Sequence, residues 1–135
     1  MRVLVNPAGL YTYPDVSAVC GEPLFAGEEV DTLINPTLLA EVLSPSTEAY
    51  DRGRKFEHYR RIESLVQVLL VAQERVQVDL YTRQPDGRWL LAEASRLENA
   101  IELESIQCRI ALADLYEKVD LPGPITQSDL VLPGR

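Results

Sequence analysis

The chain has 135 residues, 46% hydrophobic and 25% charged, ordinary values for a globular protein, and no window approaches the ~20 apolar residues of a membrane helix. Its net charge of −8 argues against a general nucleic-acid coat, which needs positive charge to displace counterions from phosphates. Cys20 and Cys108 are too few for a disulfide framework and stand in no CxxC or Cys/His cluster, so both are expected as small buried residues.

The opening MRVLVNPAGLYTYPD lacks a basic n-region followed by an apolar h-region and a cleavage site. No secretory signal is expected, and a cytoplasmic location follows by default. PDVSAVC, residues 14–20, predicts a strand that opens on a proline, with Val16, Ala18 and Cys20 on one face. Residues 21–36, rich in Gly, Pro and Glu, read as a loop. LLAEVL, set between Asn35-Pro36 and Ser44-Pro45, predicts a strand over 37–43 buried on both faces.

SPST then offers helix-start chemistry, with Ser44 or Ser46 as cap and Glu48 in the first turn. The helix is expected to run to about Ile62, and Gly53 weakens it by about 1 kcal/mol against alanine. LVQVLLVA, residues 65–72, predicts a second mostly buried strand. VQVDLYTR alternates, QPDGR supplies turn chemistry and RWLLAEAS returns, which specifies a β-hairpin around Asp86-Gly87. IELESIQCRI, 101–110, predicts a further strand region, and ALADLYEKV, 111–119, a short amphipathic helix. Residues 121–135 read as a tail after a single domain over 1–120. Two apolar strands joined across a helix predict a βαβ crossover in an α/β or α+β mixed sheet.

Glu41 is the residue out of place. Burying an unpaired charge costs several kcal/mol, so an acid inside an apolar strand needs a partner, a proton or a metal. Asp15 begins the preceding strand, and the following helix presents Glu48, Asp51 or Arg52, Lys55 and Tyr59 at three- and four-residue spacing. Two carboxylates suit Mg²⁺, which keeps several waters and takes phosphate oxygens, and a nearby lysine could orient or help deprotonate a metal-bound water. Plainer readings stand beside this one. Asp15 also suits a loop cap, Lys55 with Asp51 an i,i+4 surface pair, Tyr59 a core-edge aromatic and His58 a solvated position. RGRKFEHYRR, residues 52–61, is the basic element through which the chain would touch DNA, or else a solvated face.

The ordered set PDVSAVC, NPTLLAEVLSPST, DRGRKFEHYRRI, LVQVLLV and VQVDLYTRQPDGRW resembles the Uma family of bacterial restriction-endonuclease-type proteins, within the PD-(D/E)XK nuclease superfamily. The likeness runs from about Tyr13 to Val119. It implies a restriction-endonuclease-like core, a mixed sheet flanked by helices with a β-hairpin extension, and Mg²⁺-dependent (or Mn²⁺-dependent) hydrolysis of DNA phosphodiester bonds. Carried over by motif, Asp15 and Glu41 are metal ligands with the carbonyl of Val42, and Lys55 is the catalytic lysine. Asp51 and Tyr59 support them, and Arg52, Arg54, Arg60 and Arg61 are candidates to bind nucleic acid. Leu43 stands where the superfamily's usual lysine would follow the acid, and the helix supplies Lys55 instead. Family members carry a longer segment before the PD motif, and a chain without it exposes a sheet edge, which predicts a homodimer. The alternative expectation is an inactive, shortened member that serves as a dimeric binding or structural module.

Overall fold

A computed structural model gives the fold and describes residues 1–6, 9–26, 32–46 and 48–117, with the side chains of 48–51 outside that description. In chain order the strands and helices are β1 (Arg2–Leu4), β2 (Tyr11–Thr12), β3 (Val16–Ala18), β4 (Thr32–Leu33), β5 (Leu38–Leu43), α1 (Glu48–Tyr59), β6 (Gln67–Ala72), β7 (Val78–Arg83), β8 (Trp89–Ala94), β9 (Ala100–Leu103), β10 (Cys108–Ala111) and α2 (Leu112–Leu115). A 3₁₀ turn at Glu104–Ile106 joins β9 to β10. Among the described residues no helix is long and apolar enough to cross a membrane.

The central sheet has the order β3-β5-β6-β7-β8. In this sheet the β5/β6 pair is parallel, and parallel neighbours need a crossover, which α1 supplies. The expected βαβ unit is therefore present inside a mixed sheet. Strand period places Leu39, Glu41 and Leu43 on one face of β5 and Leu38, Ala40 and Val42 on the other. The first face packs against Tyr59 and Ile62, with Val3, Val5 and Leu33 from a small sheet of order β2-β1-β4. The second packs against Ile101, Leu103, Leu112 and Tyr116 of the β9–β10 hairpin and α2.

The structure changes several expectations. The sheet is not flanked by long helices, since strands dominate and α2 is a single turn. β1 and β2 lie in a stretch read without elements, and β4 in a stretch read as loop. IELESIQCRI, expected as a strand region, folds into the two strands of a hairpin, because Gln107 takes a left-handed φ of 53° after the 3₁₀ turn and reverses the chain. β5 is not closed on both faces, because Val42 is 53% exposed at the rim of an apolar groove of about 500 Å³. Cys20 and Cys108, expected buried, are exposed, the first just beyond β3 and the second opening β10. The Glu48 side chain of the expected first turn and the 121–135 tail lie outside the described residues.

The 78–94 hairpin forms as the turn residues specify. Gly87 takes φ 88°, Asp86 accepts the Arg88 N–H at 3.0 Å, and Gln84 N–H donates to Arg88 O at 2.7 Å. Arg83 at the end of β7 donates to the carbonyls of Arg60, Ile62 and Glu63 at 2.9–3.0 Å. Those carbonyls lie just past α1, where helices leave acceptors unsatisfied, so one side chain ties the end of α1 to the sheet.

Buried Gln67 docks the second layer. Its Oε1 accepts the Ser105 N–H at 3.0 Å and the Ser105 hydroxyl at 2.6 Å, while Nε2 donates to Thr82 Oγ1 at 3.0 Å. Gln67→Leu is expected to lose about 1–3 kcal/mol, because those donors are left without their acceptor. Urea unfolding reads this as a lowered midpoint, and an unchanged midpoint would show that the turn finds other partners.

Candidate functional site

The site forms where β5, β3 and α1 meet. Glu41 is 2% exposed, and the odd-numbered face of β5 turns it under α1. On α1 the positions 52, 55, 56 and 59 make the inward stripe, at the i, i+3, i+4, i+7 spacing of a half-buried helix. Lys55 Nζ lies 3.1 Å from Glu41 Oε2, and the Tyr59 hydroxyl donates to Glu41 Oε1. One turn of helix therefore satisfies both oxygens of the misplaced acid. Thr12 Oγ1 in turn donates to Tyr59 Oη at 3.3 Å, so β2 orients the tyrosine.

Asp15 is exposed and stands just before β3. The β3/β5 ladder ends at the pair Val16–Ala40, and the Asp15 carboxylate continues it by accepting the Val42 N–H at 2.7 Å. Within an extended strand the N–H and C=O of one residue share an edge, so the Val42 carbonyl faces the Asp15 side. The sequence-predicted set Asp15, Glu41, Val42, Lys55 and Tyr59 is thus brought together. Asp51 lies in α1, with its side chain outside the description.

Burial raises the Glu41 pKa above the ordinary carboxylate value, the Tyr59 hydrogen bond and Lys55 oppose the rise, and the Asp15 charge adds to it. Burial and the bond to Glu41 also raise the Tyr59 pKa, which keeps the phenol protonated. Tyr59 is therefore a hydrogen-bond donor here and not a base. Among the described residues no group of three or more His, Cys, Asp or Glu gathers as a metal site. The donor set is all oxygen, two carboxylates and a carbonyl, and Mg²⁺ is commonly held by one or two carboxylates with waters completing the sphere. A divalent cation would also relieve the repulsion between Asp15 and Glu41, so the residues present fit such an ion.

The four arginines separate. Arg54, Arg60 and Arg61 are exposed, and Arg61 lies 3.7 Å from Glu57. Arg52 turns inward to pair with Asp79 of β7, which also accepts from Gln77 Nε2 at 2.8 Å. His58 is half-buried. Thr12 and Asp79 were not among the sequence-predicted residues. Asp79 carries the same signal as Glu41, an acid between apolar neighbours, and is buried as well.

A mixed sheet whose parallel pair is bridged by a helix, with a buried glutamate clasped by that helix's lysine and tyrosine and an aspartate at the next strand edge, defines a mixed α/β protein with an acid–lysine site. The chain belongs to the Uma2 family, described as "Putative restriction endonuclease", which it matches over residues 1–113. It is 42% identical over 106 residues to an uncharacterized protein of Synechocystis sp., covering 78% of this chain and 54% of the relative. It is 39% identical over 93 residues to a second uncharacterized Synechocystis protein, covering 69% and 52%. The chain spans about half the length of these relatives.

Proposed function

We propose that this protein is a Mg²⁺-dependent (or Mn²⁺-dependent) endonuclease of DNA with a restriction-endonuclease-like core. The observation that carries the reading is Glu41, an acid whose burial is costly and which Lys55 and Tyr59 hold in place next to the Asp15–Val42 contact, in a member of a family described as "Putative restriction endonuclease".

Asp15, Glu41 and the Val42 carbonyl would hold the cation, which when bound supplies Lewis acidity at a phosphate oxygen and a more acidic water. The chain's own residues do the rest. Lys55 Nζ stands 3.1 Å from Glu41 Oε2 and would offer its remaining N–H groups to a phosphate oxygen or the attacking water. Tyr59 fixes the Glu41 carboxylate and, as a donor, favours its ionised form. Thr12 fixes Tyr59. Arg54, Arg60 and Arg61 lie exposed, where they would meet backbone phosphates, and Arg52 turns inward to Asp79.

Calorimetric titration with Mn²⁺ is expected to find one site, weakened about 10–100-fold or more in Asp15→Asn, together with loss of plasmid nicking. Asp15→Asn that binds and cleaves like the wild type removes Asp15 from the site.

A further inference from the structure

Outside the proposed mechanism lies the salt bridge between half-buried Arg52 and buried Asp79, and its place in the fold is informative. Glu41 is the cross-strand partner of Leu70, and Leu70 of Asp79, so the three side chains form one row on the face under α1. The two acids therefore stand about 10 Å apart, two strand spacings, with fully buried Leu70 between them. Their cations, Arg52 and Lys55, are separated by only about 4.5 Å of helix rise. The two side chains must splay in opposite directions across Leu70, one to each end of the row.

We infer that the Arg52–Asp79 pair is a positioning device for the site: it fixes the roll of α1 over the sheet and so aims Lys55 at Glu41. Rolling a helix by one residue turns its side chains through about 100° and would draw both cations off their acids together. The two pairs restrain one rigid-body motion from opposite sides, and Gln77 holds the Asp79 carboxylate in place at the far end. Asp79 does not itself touch a substrate in this scheme. The inference rests on the reading of Glu41 and Lys55 as the working pair, but its first test does not.

That test is a double-mutant cycle in urea unfolding with Asp79→Asn and Lys55→Met. The expected result is non-additivity: the double variant's unfolding constant departs about fivefold from the product of the two single effects, since each variant already frees the helix that the other restrains. Effects that multiply to within about twofold mean independent pairs and overturn the inference. Arg52→Gln removes the helix end of the same pair and reads the same coupling if Asp79→Asn does not fold. The second readout is DNA cleavage, where Asp79→Asn is expected to lower kcat about 10–100-fold with KM unchanged. A raised KM with unchanged kcat would place Arg52 and Asp79 in DNA binding and overturn the positioning role. A wild-type protein that cleaves no DNA would sink the nuclease reading, while the cycle would still report on the helix.

Discussion

Glu41→Gln is expected to lose DNA cleavage on the order of 10³-fold while keeping, or gaining, stability at pH 8. The two halves of that result follow from one fact, the burial of the carboxylate under α1. Glutamine preserves the shape and still accepts the Tyr59 hydrogen bond, but it can neither carry charge to a cation nor face Lys55 as an anion. It also escapes the desolvation that raises the Glu41 pKa. A carboxyl whose folded pKa lies above its unfolded value contributes stability that is fully present below the unfolded pKa and is lost as pH rises through the folded one. The wild type should therefore weaken from the ordinary carboxylate range up through the raised Glu41 value, and the glutamine variant should lack that slope. Urea unfolding of both proteins without metal at pH 5 and pH 8 measures the difference. A variant several kcal/mol weaker at pH 8 that still cleaves DNA would make Glu41 a structural residue and end its catalytic role.

Glu41 was legible because an acid inside LLAEVL breaks a strong local pattern, and the helix that answers it begins only a few residues later. The same closeness made Lys55 and Tyr59 readable, since α1 has a fixed period and must present its stripe to β5. Asp79 was hidden by a fact no local pattern carries. β7 is covered on both faces, by α1 on one side and by the β9–β10 hairpin on the other, so the polar positions of its alternating pattern are interior as well. Thr12 was hidden for a different reason: β2 is two residues long and gains its place only by pairing with β1. Cys108 shows the reverse error, a residue type usually buried that falls on a strand with only one partner. What the sequence carried well was the βαβ unit and the 78–94 hairpin, whose contacts are either local or bridged by one helix. What it carried poorly was the covering of the sheet by segments distant along the chain.

Lys55→Met should lower cleavage about 10²–10⁴-fold, the range for a positioned side chain that transfers a proton to or from a reacting group in the transition state. Its effect on folding should depend on pH in a way that identifies the partner. Methionine keeps the aliphatic stem against the helix–sheet interface but leaves Glu41 Oε2 without its cation, and an unpaired buried carboxylate is strongly destabilising. Because the lysine side chain is about a third exposed, solvent screens part of that loss, and about 1–3 kcal/mol is expected at pH 8 rather than the full cost of breaking a deeply buried pair. Loss of Lys55 also removes one of the groups that hold the Glu41 pKa down, so in the variant the carboxyl takes a proton at still higher pH. Once protonated, Glu41 no longer needs a cation, and the gap between variant and wild type should shrink as pH falls toward 5. Tyr59 cannot substitute for the lost charge, since its raised pKa keeps the phenol neutral and its hydrogen bond is already donated to Oε1. A destabilisation equal at pH 5 and pH 8 would mean that Lys55 acts through packing alone. A deficit confined to high pH, restored by the additional change Glu41→Gln while cleavage stays lost, would separate the electrostatic cost of the site from its chemistry.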